Sequence, residues 1–594
     1  MKNSIWSVLL TALFTWIMWY LTTPVLSWGF TGWIVLIMFA AIMFFVVGAV
    51  GGSNDFEDSV GTSSGKVSIV IVAICVFLLA ILPIFNTWSA FHASSYRNLI
   101  GKVDTKATNT IMSPIDPSNI VIIDEETAHR IADKVLGTSD VAVGSEAQIG
   151  DLTLQKVGEK LYYVAPLLHS GFFKWWSNGD KGTTGYVMVN ATNDKDVKLV
   201  QNVGGEPVSI VYQPEACFSQ NLERHIYMNG HKTVGLIDFS FEVDDNLKPY
   251  YVVSLYDNTV GYAGSDIVGV ITVDVKTGEI KNYDIKDAPA WIDRIYPSEI
   301  VEKQIDDWGD FIHGWFNPSD KDRIVSTEGI SIVYGDDGQC YFYTGISSVG
   351  KNQSSIGFML VNSRTKEIHY YKQIGATESA AQQSAEGKVQ EKGYRATHPR
   401  PYNVDGVWTY VMALKDKEGL IKSVALVSVT NYEVVGVGED IKSAIRDYKS
   451  ALNSNGNAIS ASKKGEVFSK KGKLLRISSD VKSGDTYYYM LVKGEENKIF
   501  VSTSSVSEEL PLTLVGDSVL MEFDDAGNSF IDITRFDNLG LNPQKTKGQE
   551  NIEKYFNGVK DSISTAEVHK NTDAVWDTLS PKAKQELLKK MNSK

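Results

Sequence analysis

Three long apolar stretches near the N-terminus constrain the fold of this chain more than any other feature. They cover residues 5–22, 28–50 and 67–86. Each is about as long as a helix that crosses the hydrocarbon core of a bilayer. Trp19 stands near the end of the first stretch, where aromatic residues meet the membrane–water boundary. The sequence therefore predicts a three-span membrane anchor over residues 1–92, with the lipid bilayer as a partner.

A cleaved signal peptide is the alternative explanation for the first stretch. Its apolar region is longer than that of a typical signal peptide, and no small-residue cleavage site follows it cleanly. We therefore predict that the first stretch is retained as a span.

The side of the membrane on which the rest of the chain lies is weakly encoded. Lys2 and Lys66 flank one side of the spans, and Arg97 and Lys102 flank the other. The rule that basic flanks remain in the cytoplasm therefore gives a near tie. The few cysteines beyond the anchor favour an extracytoplasmic body, and we predict a multi-pass protein with that orientation.

The composition of the body excludes some functions. The whole chain carries 71 acidic and 57 basic residues, which gives a net charge of −14 and no concentrated basic face for nucleic-acid phosphates. Cys217 and Cys340 belong to no zinc-ligand spacing. They are either joined in one disulfide or, as we favour, are two free, buried thiols. We predict no nucleic-acid partner, no metal and no cofactor.

An internal repeat indicates the architecture of the body. A tight turn followed by an aromatic-rich strand recurs, and three copies continue into a second strand that begins with glycine. The turn-and-strand copies are 157–164, 243–252, 334–342, 404–411 and 483–489, and the second strands are 185–190, 269–274 and 357–362. Asp-Gly and Gly-Asp pairs suit hairpin turns, so each copy predicts a small antiparallel meander.

Helical periodicity separates the meanders. The stretch 297–315 places Val301, Ile305 and Trp308 on one face, and the alanine-rich stretch 376–392 closes at a glycine. The predicted fold class is α+β: N-terminal transmembrane helices followed by serial units of antiparallel β-meander, each covered by a helix.

The motif Val-Asp-Val-Lys-Thr-Gly-Glu-Ile at residues 273–280 resembles the last hairpin of PepSY domains. The likeness is clearest over 240–290, and two later copies carry Lys366 and Tyr432 where the glycine would stand. The resemblance implies an extracytoplasmic, non-catalytic domain, often linked to the regulation of peptidases or to envelope assembly.

The repeat and the anchor together divide the chain. The predicted segments are 1–92 (anchor), 93–120 (stalk helix and linker), 121–235 and 236–320 (first and second PepSY-like units), 321–455 (third and fourth), 456–545 (β-rich unit) and 546–594 (helical tail).

One stretch of the chain matches a catalytic sequence motif. Gly61 to Gly65 fit the G-x-S-x-G nucleophile motif, but that motif needs a strand-to-helix turn in an α/β sheet. Here it lies in a short polar stretch between two apolar ones, and we predict that the protein is not an enzyme.

Four clustered aromatic residues form the sharpest binding candidate. Phe172, Phe173, Trp175 and Trp176 fall in the connection between two predicted strands, which we expect to be a loop. Exposed aromatic side chains suit a protein interface or a membrane surface. The structural alternative is that they fold back over the local core.

These features favour a membrane-anchored assembly or adaptor protein that contacts copies of itself or another envelope protein. The alternative, which follows from the PepSY resemblance, is a regulator or inhibitor of an envelope peptidase.

Overall fold

The computed structural model describes most of the chain and mixes helices with strands. It describes residues 2–52, 63–105, 119–138, 147–335, 337–349, 354–404, 406–454, 467–482, 485–504, 506–524 and 530–541. Helices account for 31% and strands for 37% of the residues, so neither class dominates. The chain divides into two compact units, Met1–Val467 and Phe468–Lys594. The predicted C-terminal helical tail lies outside the described residues.

Apolar helices open the first unit. Helix α1 covers Lys2–Thr22 and helix α2 covers Gly32–Gly52. Helix α3 comprises the consecutive helical segments Ser63–Val76, Phe77–Ile81 and Leu82–Asn86. The middle segment is π-helical, a widened turn beside a proline that lacks a backbone N–H. Two helical stretches, Gly32–Ala49 and Gly65–Asn86, are long and apolar enough to cross a membrane, whereas the apolar part of α1, Trp6–Thr22, is shorter.

Seven further helices of the first unit lie among the sheets. They are α4 (Ser89–Asn98), α5 (Glu125–Thr138), α6 (Phe172–Asn178), α7 (Leu222–Met228), α8 (Ser298–Asp310), α9 (Glu378–Lys388) and α10 (Ile441–Ser454). The predicted helix over 297–315 is confirmed but ends earlier, because the chain leaves helical geometry at Phe311 and turns at Gly314 with φ +79°. Gly393, at φ +64°, closes the helical stretch that follows α9.

Four largely antiparallel sheets make up the body. The first sheet contains Ala147–Ile149, Thr153–Val157, Lys160–His169, Tyr186–Asn190 and Val197–Val200. The second contains Gly235–Val243, Pro249–Val260, Ala263–Asp274 and Ile280–Tyr283. The third contains Val103–Asp104, Ile324–Ser326, Ser331–Tyr334, Cys340–Ser348, Gly357–Asn362 and Ile368–Tyr371. The fourth contains Arg395–Ala396, Arg400–Val404, Val407–Lys415, Ile421–Ser428 and Val435–Gly438.

Consecutive sheets share their hydrophobic cores. Helix α5 covers one face of the first sheet, and the second sheet with α7 packs on the other face. The second and third sheets enclose a core with α8, and the third and fourth enclose a core with α9. Helix α10 covers the outer face of the fourth sheet. Burial of these apolar faces supplies the main driving force for the stack.

The second unit is a closed barrel. Its strands are Val467–Lys482, Asp485–Val492, Ile499–Thr503, Ser518–Asp524 and Phe530–Asn538. The third and the last of these strands pair in parallel, and this pairing joins the first three strands to the last two. Phe500, Met490 and Met521 are fully buried in its core.

Candidate functional site

The four predicted aromatic residues lie in a short helix and not in a loop. Helix α6 connects two strands of the first sheet, and the amides of Lys174 and Trp175 both donate to the carbonyl of Gly171. Gly171 adopts φ +109°, a conformation that only glycine reaches without strain, and it starts the helix directly after the strand. The connection was predicted as irregular because seven residues carry little periodicity.

The four rings contact one another and leave much of their surface uncovered. The ring centroid of Phe172 lies 5.6 Å from that of Phe173, 5.7 Å from that of Trp175 and 5.9 Å from that of Trp176. Phe173 is 83% exposed and Trp176 is 69% exposed. The structure therefore leaves Phe172, Phe173 and Trp176 exposed, whereas Trp175 is partly covered.

A fifth aromatic residue, distant in sequence, completes this cluster. The ring of Phe218 lies 5.6 Å from that of Trp175. The indole N–H of Trp175 donates to Gln220 Oε1 at 2.6 Å, and Gln220 Nε2 donates to the carbonyl of Gly179. We name Phe172, Phe173, Trp175, Trp176 and Phe218 the aromatic patch. Sequence reasoning missed Phe218 because no local pattern marks a contact across more than forty residues.

The aromatic patch is tied to the end of α1. Arg224 of helix α7 donates from Nη1 to the carbonyl of Phe218 and from Nε to the carbonyl of Tyr20, at 3.0 Å. The same guanidinium lies 4.7 Å from the centre of the Tyr20 ring. One side chain therefore spans from the patch to the last turn of the first apolar helix.

The connection between α1 and α2 packs against the body. The Tyr227 hydroxyl donates to the carbonyl of Pro24 at 2.7 Å and accepts from the Trp19 indole N–H at 2.9 Å. The amide of Leu26 donates to the carbonyl of Lys232. These contacts explain why α2 starts at residue 32 and not at residue 28 as predicted.

The tip of the longest hairpin in the second sheet contacts the N-terminal apolar helices at two points, before α2 and after α3. Asn258 Nδ2 donates to the carbonyl of Gly29 at 2.8 Å, before α2. The amide of Tyr262 donates to Thr87 Oγ1 at 3.0 Å, just after α3. A side chain at Gly261 would collide with the carbonyl of Asn86, so the close approach requires glycine. The hairpin therefore fixes the anchor helices relative to the sheets.

A second exposed aromatic cluster surrounds the end of α3. Trp88 contacts Trp315 with ring centroids 5.6 Å apart, and it contacts Phe91 at 5.7 Å. Phe91 stacks on Phe85, and Trp315 contacts Phe316, which is 77% exposed. We name these five residues the stalk cluster. Trp315 and Phe316 come from the body, whereas Phe85 lies in α3, Trp88 directly precedes α4 and Phe91 lies in α4.

A groove runs along the outside of α1 and α2. Its volume is about 560 Å³, and it is lined by Val8, Thr11, Ala12, Thr15, Trp16, Trp19, Leu36, Ala40 and Phe44. The hydroxyls of Thr11 and Thr15 are buried and have no hydrogen-bond partner. We name this feature the anchor groove.

A buried polar cluster joins the first three sheets. Asp293 Oδ2 accepts from the amide of Lys156 at 2.6 Å and from the Tyr334 hydroxyl at 2.9 Å, and burial raises the pKa of Asp293 to about 6. Burial, with Asp293 nearby, raises the pKa of Glu242 to about 8, and Ser240 donates to that carboxyl. Both carboxyl groups are buried and paired within the fold, so we interpret the cluster as structural.

The three cysteines form no disulfide among the described residues. Cys75, Cys217 and Cys340 are all free thiols. Cys340 is buried as predicted, which raises its pKa to about 12, whereas Cys217 is only half-buried. No group of three or more His, Cys, Asp or Glu side chains within the described ranges is arranged to hold a metal ion. Of the G-x-S-x-G stretch, residues 63–65 begin α3 and residues 61–62 lie outside the description.

Comparisons with known proteins add little. No protein-family model matches the chain, and no curated protein matches it. Among solved structures, a mutant levansucrase from B. megaterium is similar at 10% identity over 75% of this chain and 96% of that chain, with a TM-score of 0.16. A score this low carries no argument about fold or activity.

Proposed function

We propose that this protein is a non-enzymatic, membrane-anchored assembly protein with three spans and a large extracytoplasmic body. It acts through protein–protein contacts, and its anchor associates with the anchors of other copies. The anchor groove is the observation that carries this proposal.

The anchor groove has the composition of a helix-docking surface. Ala12 and Ala40 allow close approach of a second helix, and the hydroxyls of Thr11 and Thr15 lack partners. In a bilayer, small residues and hydroxyls at a helix surface drive association by close packing and interhelical hydrogen bonds.

The tight contact of body and anchor gives such an association a consequence outside the membrane. Tyr227, Arg224 and Asn258 each hydrogen-bond to backbone carbonyls at the ends of the apolar helices. Two associated anchors would therefore hold their bodies in a fixed mutual orientation. This is the behaviour required of an assembly protein.

Matching turns support the interpretation of the body as serial PepSY-like units. The amide of Asp274 donates to the carbonyl of Glu279, and the amide of Asn362 donates to the carbonyl of Glu367. The side chains of Asp274 and Asn362 also each accept hydrogen bonds from two backbone amides of their own turn. Lys366 occupies the glycine position at φ +59°, close to the +74° of Gly278.

The distribution of basic residues around the apolar helices supports an extracytoplasmic body. The connection of residues 23–31 packs on the body and contains no Lys or Arg, whereas Lys2 and Lys66 lie toward the opposite ends of their helices. Arg97 and Lys102 follow α3 on the side of the body, so the support comes from the connection between α1 and α2. Basic flanks favour the cytoplasmic side. Exposure of the body to protease in whole cells is the expected result, and protection until the cells are broken would reverse the orientation.

Disulfide cross-linking in native membranes tests the association. The variant Ala12→Cys, made with Cys75→Ala, places one thiol in the anchor groove. The matched control Val70→Cys places a thiol on the exposed outer surface of α3. We expect an oxidised dimer from Ala12→Cys and little from Val70→Cys.

A monomer from both variants would refute self-association through the groove. Equal dimer yields from both would indicate random collision and would count equally against it. An adduct between Ala12→Cys and a different protein would replace self-assembly with an adaptor role.

A further inference from the structure

The exposed Phe and Trp side chains of the body are concentrated in two places. Among the described residues between 119 and 454, the exposed Phe and Trp side chains are Phe172, Phe173, Trp176, Phe218, Trp315 and Phe316. All six belong to the aromatic patch or to the stalk cluster. Other exposed apolar residues of this region, such as Ile374 and Leu420, are aliphatic. Isolated exposed residues need no explanation, whereas grouped aromatic rings do.

Both clusters lie at the ends of apolar helices. The aromatic patch is joined through Arg224 to Tyr20, in the last turn of α1. The stalk cluster surrounds Trp88, which is two residues beyond the end of α3. The ends of two different membrane helices thus set the depth of both clusters in a bilayer.

The connection before α2 also carries an exposed aromatic side chain. Trp28 is 83% exposed and contacts Trp33 with ring centroids 5.0 Å apart. Three aromatic groups therefore lie at or near the ends of apolar helices, and the body supplies all of the aromatic patch and part of the stalk cluster. Trp and Tyr are enriched at this level in membrane proteins because the interface accepts both the apolar ring and its polar edge.

We propose that the aromatic patch and the stalk cluster insert into the headgroup region of the bilayer that holds the anchor, so that the body rests on the membrane at two points. The chemical partner is the lipid interface itself. The patch supplies rings from α6 and Phe218. Burial of apolar ring surface provides the gain in free energy.

This inference rests on the membrane anchoring in the proposed function but not on self-association. A test in nanodiscs that hold one copy separates the two, because no second body is present to cover the clusters. Failure here would leave the cross-linking result untouched, and failure of cross-linking would leave this result untouched.

Spin labels at single cysteines measure contact with lipid directly. Phe173→Cys and Phe316→Cys report on the two clusters, and Ile374→Cys is the control because it is similarly exposed, at 78%, yet no described contact joins it to the anchor. Cys217→Ser removes the half-buried native thiol in every variant. Accessibility is compared between oxygen, which partitions into lipid, and a water-soluble nickel chelate.

We expect labels at 173 and 316 to be more accessible to oxygen than to nickel, and the label at 374 to show the opposite order. The same order at all three positions would overturn the inference. A second result would also overturn the inference. The labels at 173 and 316 would contact nickel freely in nanodiscs but would be shielded from both reagents in native membranes. That pattern would assign the clusters to a protein partner.

Discussion

Two aromatic clusters in the first unit differ mainly in what covers them. Between the third and fourth sheets, Phe358 lies 4.8 Å from Tyr371 and 4.7 Å from Trp408, and all three rings are buried. In the aromatic patch the rings are similarly spaced, yet Phe173 and Trp176 remain exposed. Ring–ring contact therefore does not distinguish a core from a binding surface. The difference is that a second sheet covers the rings of the core.

Removal of a ring from the covered cluster has the largest expected effect. Trp408→Ala leaves a cavity between two sheets and should cost about 3–5 kcal/mol of unfolding free energy. The measurement is the denaturant midpoint of the full chain in detergent, followed by circular dichroism. A loss below about 1 kcal/mol would show that this junction is loosely packed and would remove the contrast with the patch.

The polar junction between sheets offers the next test, through pH. In the unfolded chain Glu242 ionises near its ordinary value, whereas burial raises its folded-state pKa to about 8. Between these values the folded state binds more protons, so the stability that Glu242 contributes is present at low pH and is lost as pH rises through about 8. Asp293 and Asp238 favour protonation, and Arg294 opposes it.

Glu242→Gln should therefore flatten the fall in melting temperature between pH 5 and pH 8.5 relative to the wild-type chain. The exposed Glu391→Gln is the matched control and should leave the slope unchanged. Identical slopes for Glu242→Gln and the wild type would contradict the assignment of a neutral, buried carboxyl.

A smaller effect is expected at the contact between the body and the anchor. Tyr227→Phe removes one hydroxyl that donates to Pro24 and accepts from Trp19, at a cost of about 1–2 kcal/mol. Faster amide exchange in residues 23–31 reports the loss. Tyr432→Phe, on an exposed side chain, should change nothing; an equal response in both variants would argue against a specific contact.

The smallest effect on stability is expected in the aromatic patch. Trp176→Ala removes an exposed ring, so the unfolding free energy in detergent should change by about 0.5 kcal/mol or less. A loss as large as that of Trp408→Ala would show that the patch is part of the core.

The sequence predicted local features better than contacts between distant residues. Alternating residues and Asp/Gly turns indicated most strands, and apolar stretches indicated the anchor helices. The aromatic patch was found because four of its members are contiguous, but Phe218, Trp315 and Phe316 join their clusters only in three dimensions. The PepSY resemblance and the number of spans stay predictions.

Lys366 illustrates why local patterns are insufficient. Its position favours glycine, since φ is +59°, yet its ammonium group donates to Asp266 and to the carbonyl of Leu99, both at 2.7 Å. These tertiary contacts offset the strain of the left-handed backbone. No local signal in the sequence reveals such compensation.

A double cysteine variant tests the joint between the body and the anchor most directly. A Cβ placed on Gly29 would lie 3.5 Å from the Cβ of Asn258, near the separation of about 3.8 Å that disulfides require. With Cys217→Ser as background, Gly29→Cys combined with Asn258→Cys should oxidise almost completely in membranes and run faster on a non-reducing gel. Gly29→Cys combined with Ile374→Cys should remain reduced. Equal, low oxidation in both pairs would contradict a body held against its anchor.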